Sequence, residues 1–321
     1  MSVPDLSLKL LQALNDRKLK TVDECTKDKS AKEWINNQVD QKHIENAIFT
    51  CKIQYKDITC LCCASGHCNT RTVQQLVQAG ADVNITDSIG NTPLHWVSAG
   101  KIEVKQKVEY LLSCEASLIR AQNISTNTPL LEAAVEGNSQ AISVLIKHGA
   151  AVNERGEFNR TALHQASGYG HVACIHELMV HGADVEARDS YNNGTPLQVA
   201  ANFNRPACAR FLLEKCSASI NATNQFGHTA LHRAAYKGNL EVFKLLREYK
   251  KCDVNVKNVN GETAADVAKR KFHANIVDYL KAQSSVASVT SSMAASNITD
   301  DRKIYGKYMH IYICSCTCFR F

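Results

Sequence analysis

Nine residues, Cys60 to Cys68, hold the densest group of soft ligands in the chain: Cys60, Cys62, Cys63, His67 and Cys68. Four such side chains converging tetrahedrally would hold zinc. The repeat register described below puts them on one helix, where cysteine serves as a small buried side chain, so no metal site is expected. His95, His164 and His232 recur at a regular interval, yet none has an acid or a nucleophile at triad spacing. Gly168-Tyr169-Gly170-His171-Val172-Ala173 imitates a G-x-G-x-x-A nucleotide fingerprint, but no strand precedes it. Cys314, Cys316 and Cys318 alternate along an extended tail and do not wrap one metal. Cys318-Phe319-Arg320-Phe321 imitates a prenylation box, with Arg320 where an aliphatic residue is required. No catalytic residue, metal or cofactor is expected, and the chemistry left is recognition.

The elements that position these residues are marked by one phrase, Thr92-Pro93-Leu94-His95. It returns as Thr128-Pro129-Leu130, Thr161-Ala162-Leu163-His164, Thr195-Pro196-Leu197, Thr229-Ala230-Leu231-His232 and Thr263-Ala264-Ala265, with a weaker copy at Thr59-Cys60-Leu61. Measured at the third residue, the steps are 33, 36, 33, 34, 34 and 34. Threonine caps a helix by accepting from an amide of the first turn. Proline suits the first helical position, where its missing N–H costs nothing. Leucine then faces the core. Three of the five prolines occupy that slot, and Pro206 stands where a second helix should start, so the prolines confirm the register. Gly80, Gly149 and Gly182 follow the second helices, where a left-handed residue is needed.

A 33-residue period carrying Thr-Pro-Leu-His resembles the ankyrin repeat, a turn followed by two antiparallel helices. The resemblance covers about residues 59–281. It implies an all-α fold, an ankyrin-repeat α-solenoid of helix pairs with β-hairpin fingers and no sheet. The expected organisation is a degenerate N-terminal cap and insertion over 1–53, then an array over 54–281. The seven repeats are expected at about 54–86, 87–122, 123–155, 156–188, 189–223, 224–257 and 258–281. A Ser/Ala-rich linker and a Cys/aromatic tail follow over 282–321. Leu10, Leu11, Leu14, Leu19 and Val22 have the helical spacing of a capping unit. The second repeat carries three extra residues around Lys105-Gln106-Lys107, expected in the turn between its helices. The resemblance further implies that the periodic histidines bond to backbone at the turns.

Composition narrows the setting. Residues Met1 to Lys20 lack the apolar core of a signal peptide, and no run of 18 apolar residues occurs. Fourteen cysteines then read as reduced thiols, so the expected compartment is the cytoplasm, with the nucleus as a second place. A net charge of +6 is too mild and too dispersed to argue for nucleic acid. Lys269-Arg270-Lys271 reads as a solvated end cap.

The sharper signal is aromatic. In ankyrin arrays the concave face is built from the finger tips and the exposed ends of the first helices. In this register the tips present Phe158, Tyr191 and Phe226, and the helix ends present Tyr169, Phe203 and Tyr236. Arg160, His228 and Lys237 lie among them. Exposed rings beside cations are the material of binding hot spots. The expectation is a monomeric, non-enzymatic scaffold or adaptor that holds a protein partner there, with no nucleic acid and no membrane. The rivals are a ubiquitin-ligase or proteasome-associated adaptor similar to gankyrin, and the ankyrin portion of a larger enzyme or lipid-binding protein. Asn84 and Asn255, which close the phrase Asp-Val-Asn, are candidates for hydroxylation.

Overall fold

The computed structural model describes residues 59–295. The N-terminal capping unit and the cysteine tail lie outside them. Seven helix pairs follow one another. The first helices are α1 (Cys60–His67), α3 (Pro93–Ala99), α5 (Pro129–Glu136), α7 (Ala162–Tyr169), α9 (Pro196–Asn202), α11 (Ala230–Lys237) and α13 (Ala264–Arg270). The second helices are α2 (Thr70–Gln78), α4 (Val104–Cys114), α6 (Ser139–Lys147), α8 (Val172–Val180), α10 (Pro206–Glu214), α12 (Leu240–Glu248) and α14 (Ala274–Ala295). Each first helix packs on the first helices before and after it, and the second helices form a parallel row behind. Between the layers lie Leu94, Leu130, Leu163, Leu197 and Leu231, all buried. A side chain of this size contributes about 1.5–3 kcal/mol when fully buried. No strand occurs among the described residues.

The recurring phrase works as joint and cap together. Thr59 accepts from the Cys62 amide at 3.2 Å, so even the weak first copy caps its helix. His95 Nδ1 accepts from the Thr92 amide at 3.1 Å, which leaves Nε2 to donate to the Asn127 carbonyl at 2.9 Å. Asn127 stands just before the threonine of the next repeat. His164 makes the same pair of bonds to Thr161 and Gly194, and His232 to Thr229 and Glu262. In the fifth repeat Gln198 takes the role: its Oε1 accepts from the Thr195 amide, and its Nε2 donates to the Ala222 and His228 carbonyls. Leu131 fills that slot in the third repeat, and there the Thr128 hydroxyl is buried without a described partner. The periodic histidines are joints of the array, held as the neutral Nε2–H tautomer.

The fingers are turns stitched to one another by single backbone bonds. The amide of Ile124 donates to the Ile89 carbonyl, that of Ser190 to Phe158, and that of Val259 to Phe226. Asp87, Asn224 and Asn258 each accept two amides of their own finger through Oδ1. The fourth finger has Gly156 at that position and no such acceptor. There the chain turns through Phe158 and Asn159 at φ of 55° and 54°.

Two expectations meet a different structure. Lys105, Gln106 and Lys107 do not widen a turn; they lie in α4, which has 11 residues where α2 and α6 have nine each. The reason is Lys107. Its side chain is fully buried, and its ammonium donates to the Ser65 carbonyl at 2.5 Å and the Cys68 carbonyl at 3.1 Å. It thus meets the orphan carbonyls at the end of α1, where a cation is favoured. Burial holds this ammonium down to about 8. The second difference lies at the other end: α14 runs past residue 281, the expected end of the array, to Ala295.

Candidate functional site

The cysteine group of α1 is core. Cys60, Cys62, Cys63 and Cys68 are all buried, and His67 stands edge-on to Trp96. The Cys62 thiol points at the Asn91 carbonyl 3.7 Å away, and burial pushes it up to about 12. Among the described residues no three metal-binding side chains converge. The glycine phrase is the link between α7 and α8: Gly170 ends α7 in the left-handed region, and His171 donates from Nε2 to the Val135 carbonyl.

The aromatic residues are brought together. Phe158, Tyr169, Tyr191, Phe203 and Phe226 are each between 46% and 61% exposed. Tyr236 is half-buried against the core. Phe158 and Tyr191 meet edge-on at 5.9 Å between centroids, which fixes two neighbouring finger tips against each other. Between the fingers and first helices of the fifth and sixth repeats runs a groove of about 600 Å³. Tyr191, Phe203, Phe226 and Tyr236 line it together with Arg233 and Lys237.

The polar residues named from sequence have unequal positions. Lys237 is exposed, with its ammonium 6.0 Å from the Tyr236 centroid. Arg160 is held: its guanidinium lies 5.9 Å from the Phe158 ring and 3.6 Å from the buried carboxylate of Asp189. His228 is stacked on His232 at 5.6 Å with Nε2 beside the Asn258 amide, and burial first, then its His232 neighbour, brings it down to about 4. It is a neutral group that does not line the groove. The sequence reading missed Arg233, which lies over Tyr236 and donates to Asn202 Oδ1 at 2.7 Å. Its signal was present, because Arg233, Tyr236 and Lys237 share one helix face at i, i+3 and i+4. Lys271, whose ammonium stands 4.5 Å from the same ring, comes from the next repeat and leaves no local signal. A smaller recess beyond Arg160 is lined by Asn123, Glu132, Glu157, Phe158 and Tyr169.

Asn84 and Asn255 are both exposed, each with its amide bonded to the aspartate two residues before. The matching Asn153 and Asn221 instead cross to the next repeat, donating to the Gly182 and Lys251 carbonyls.

Comparison with known proteins agrees with this geometry. Residues 59–156, 152–224 and 197–291 match a family model of ankyrin repeats. The palmitoyltransferase ZDHHC17 of Homo sapiens is 37% identical over 213 residues, 65% of this chain and 32% of that protein. The putative palmitoyltransferase ZDHHC13 of Danio rerio is 28% identical over 200 residues, 61% of this chain and 30% of that protein. The E3 ubiquitin-protein ligase XBAT32 of Arabidopsis thaliana is 33% identical over 177 residues, 47% of this chain and 35% of that protein. The chain thus spans about a third of the length of these relatives. With family matches running from residue 59 to 291 over seven helix pairs, the chain belongs to the ankyrin-repeat family.

Proposed function

We propose that this chain is a scaffold or adaptor whose working surface is the face of fingers and first helices in repeats 4 to 6. A protein partner lies along the finger tips and into the groove beside Tyr236. Ankyrin repeats support protein–protein interaction and carry no catalytic machinery, so the reading rests on recognition alone. The observation that carries it is the row of five half-exposed aromatic rings, gathered along one side of one stretch of the array. Apolar surface left in water on a well-packed scaffold is what a partner covers. The chain acts as a monomer, without nucleic acid, in the cytoplasm and nucleus.

Tyr191 and Phe226 give the sharpest test, because the fold needs finger tips least. Tyr191→Ala and Phe226→Ala should each weaken partner capture about thirtyfold, the loss expected of a hot spot near 2 kcal/mol. Melting of the same proteins should be unchanged. Variants that melt normally and retain every partner would remove this surface from consideration.

A second reading is favoured by the alignment with ankyrin regions of a palmitoyltransferase and a ubiquitin ligase. In it the array presents a protein to a catalytic domain joined to it or bound beside it. An endogenous protein no longer than 321 residues, purified without any transferase or ligase, would argue against it. Asn84 and Asn255 are assigned as hydroxylation sites because they are exposed and do not cross to a neighbouring repeat. Mass spectrometry of protein from cells should show one added oxygen on each, and its absence at both would withdraw the assignment.

A further inference from the structure

The groove is electrically one-sided. Among the described residues the single acid along its wall is Asp189, whose carboxylate faces Arg160 and accepts from the Asn192 and Gly194 amides. Arg233 and Lys237 line the same groove, and Lys271 joins them around the Tyr236 ring. None of these three cations forms an ion pair with a described residue. Arg270 and Lys269, the nearest other cations in sequence, are already paired with Glu262 and Asp266. Three like charges held around one ring repel each other, and an anion placed among them relieves that repulsion. Contact with the ring fixes where the cations stand, so little ordering is needed on binding. Beyond Arg160 the sign reverses, because the smaller recess carries Glu132 and Glu157.

We propose that the groove takes an acidic segment of a protein partner. This rests on the reading of the aromatic face as the working surface and adds the partner's chemistry. A large apolar side chain of the segment sits among Tyr191, Phe203 and Phe226. Its Asp or Glu carboxylates lie on Arg233, Lys237 and Lys271, at the end nearest the seventh repeat. A flat anionic membrane surface would meet the finger tips before it reached a guanidinium in the groove wall. A chain segment enters between them.

The test is selection of random twelve-residue linear peptides, displayed on phage, against the full chain. Selected peptides should be enriched in Asp and Glu flanking an aromatic or large aliphatic residue. Binding of one such synthetic peptide, read by fluorescence anisotropy, should fall as salt is raised. Lys237→Glu combined with Lys271→Glu should weaken that peptide by roughly tenfold or more and abolish the acidic preference in a fresh selection. If the reversed pair melts lower than the parent, the milder Lys237→Gln, Lys271→Gln pair is used and should still lower affinity. Acidic enrichment undiminished on the charge-changed protein overturns the proposal. Peptides without acidic enrichment that are lost on Tyr191→Ala overturn it too, and leave the aromatic face as the working surface. A selection that yields nothing overturns both. Binding to phosphatidylserine vesicles with no preference among peptides would assign the cations to a membrane instead.

Discussion

Lowering the pH from 7 to 4 is expected to strip the array of much of its stability. The cause is the histidine joints. His95 and His164 are buried, and each is brought from 6.5 down to about 4, chiefly by burial. The hydrogen bonds give a second reason: Nδ1 must accept from a threonine amide, and a protonated Nδ1 would point a proton at that N–H. A folded-state value below the unfolded one means that the stabilisation is complete above about pH 6.5. It is lost as the pH falls, because the unfolded chain takes up protons that the folded chain refuses. Each imidazole withdraws about 1.4 kcal/mol per pH unit, hence about 3 kcal/mol by pH 4. Two of them approach the whole stability of an ordinary domain, about 5–15 kcal/mol. His232 and His228 act in the same direction. The urea midpoint should therefore drop steadily between pH 7 and pH 4. His164→Gln is the decisive variant, since Gln198 makes the same bonds in the fifth repeat without titrating. It should keep most of the stability at pH 7 and flatten the slope below it. A variant that lost stability as steeply as the parent would show that the joints are not the acid-sensitive element.

The alkaline side follows from the cysteines by the opposite sign. Burial pushes Cys62 and Cys174 up to about 12, and Cys208 and Cys252 to about 11. Folded-state values above the unfolded one confer stability that is present below about pH 9 and is lost as the pH climbs toward 11 or 12. Lys107, held down to about 8, works against this between about pH 8 and 10.5, but it is one group against four. Thiols and imidazoles together confine the fold to a window around neutral pH. The cysteines thus have a physical consequence as buried thiols.

Much of this was legible because the repeat phrase is local. Thr92, Thr128, Thr161, Thr195, Thr229 and Thr263 are all N-caps of first helices, and Pro206 opens α10 as its position implied. A cap, a proline and a leucine act within one turn, so three adjacent letters suffice. What escaped depends on contacts between repeats. Lysine reads as a solvent residue, and only the packing of α4 on α1 turns Lys107 into a cap for a neighbouring helix. Lys271 reaches Tyr236 across a full repeat. Gln198 stands where other repeats have histidine, and only its contacts show that its amide supplies the same acceptor and donor. The Ser/Ala composition after residue 281 reads as a linker, yet alanine is also the best helix former, and α14 continues through it.

Leu163→Ala is expected to cost about 2–5 kcal/mol, and Leu197→Ala a similar amount. Both side chains are 1% exposed, in α7 and α9, which pack directly on each other. Truncation removes the transfer energy of the lost methyl groups. It also leaves a void that two rigid, jointed neighbours cannot close. The site makes the effect global: in an array each repeat is stabilised only through its neighbours, so a weak central interface uncouples the halves on either side. Two observables should separate this from a surface effect. The melting midpoint should fall by several degrees for either variant, whereas Phe158→Ala, at an exposed finger tip, should leave it in place. The unfolding transition should also broaden or split, because the parts before and after the defect no longer melt as one. The two central variants together should cost less than the sum of their separate effects, since the leucines lie on helices that pack directly on each other. Additive losses with a single sharp transition would mean that the repeats fold as a cooperative block whose stability is not transmitted interface by interface.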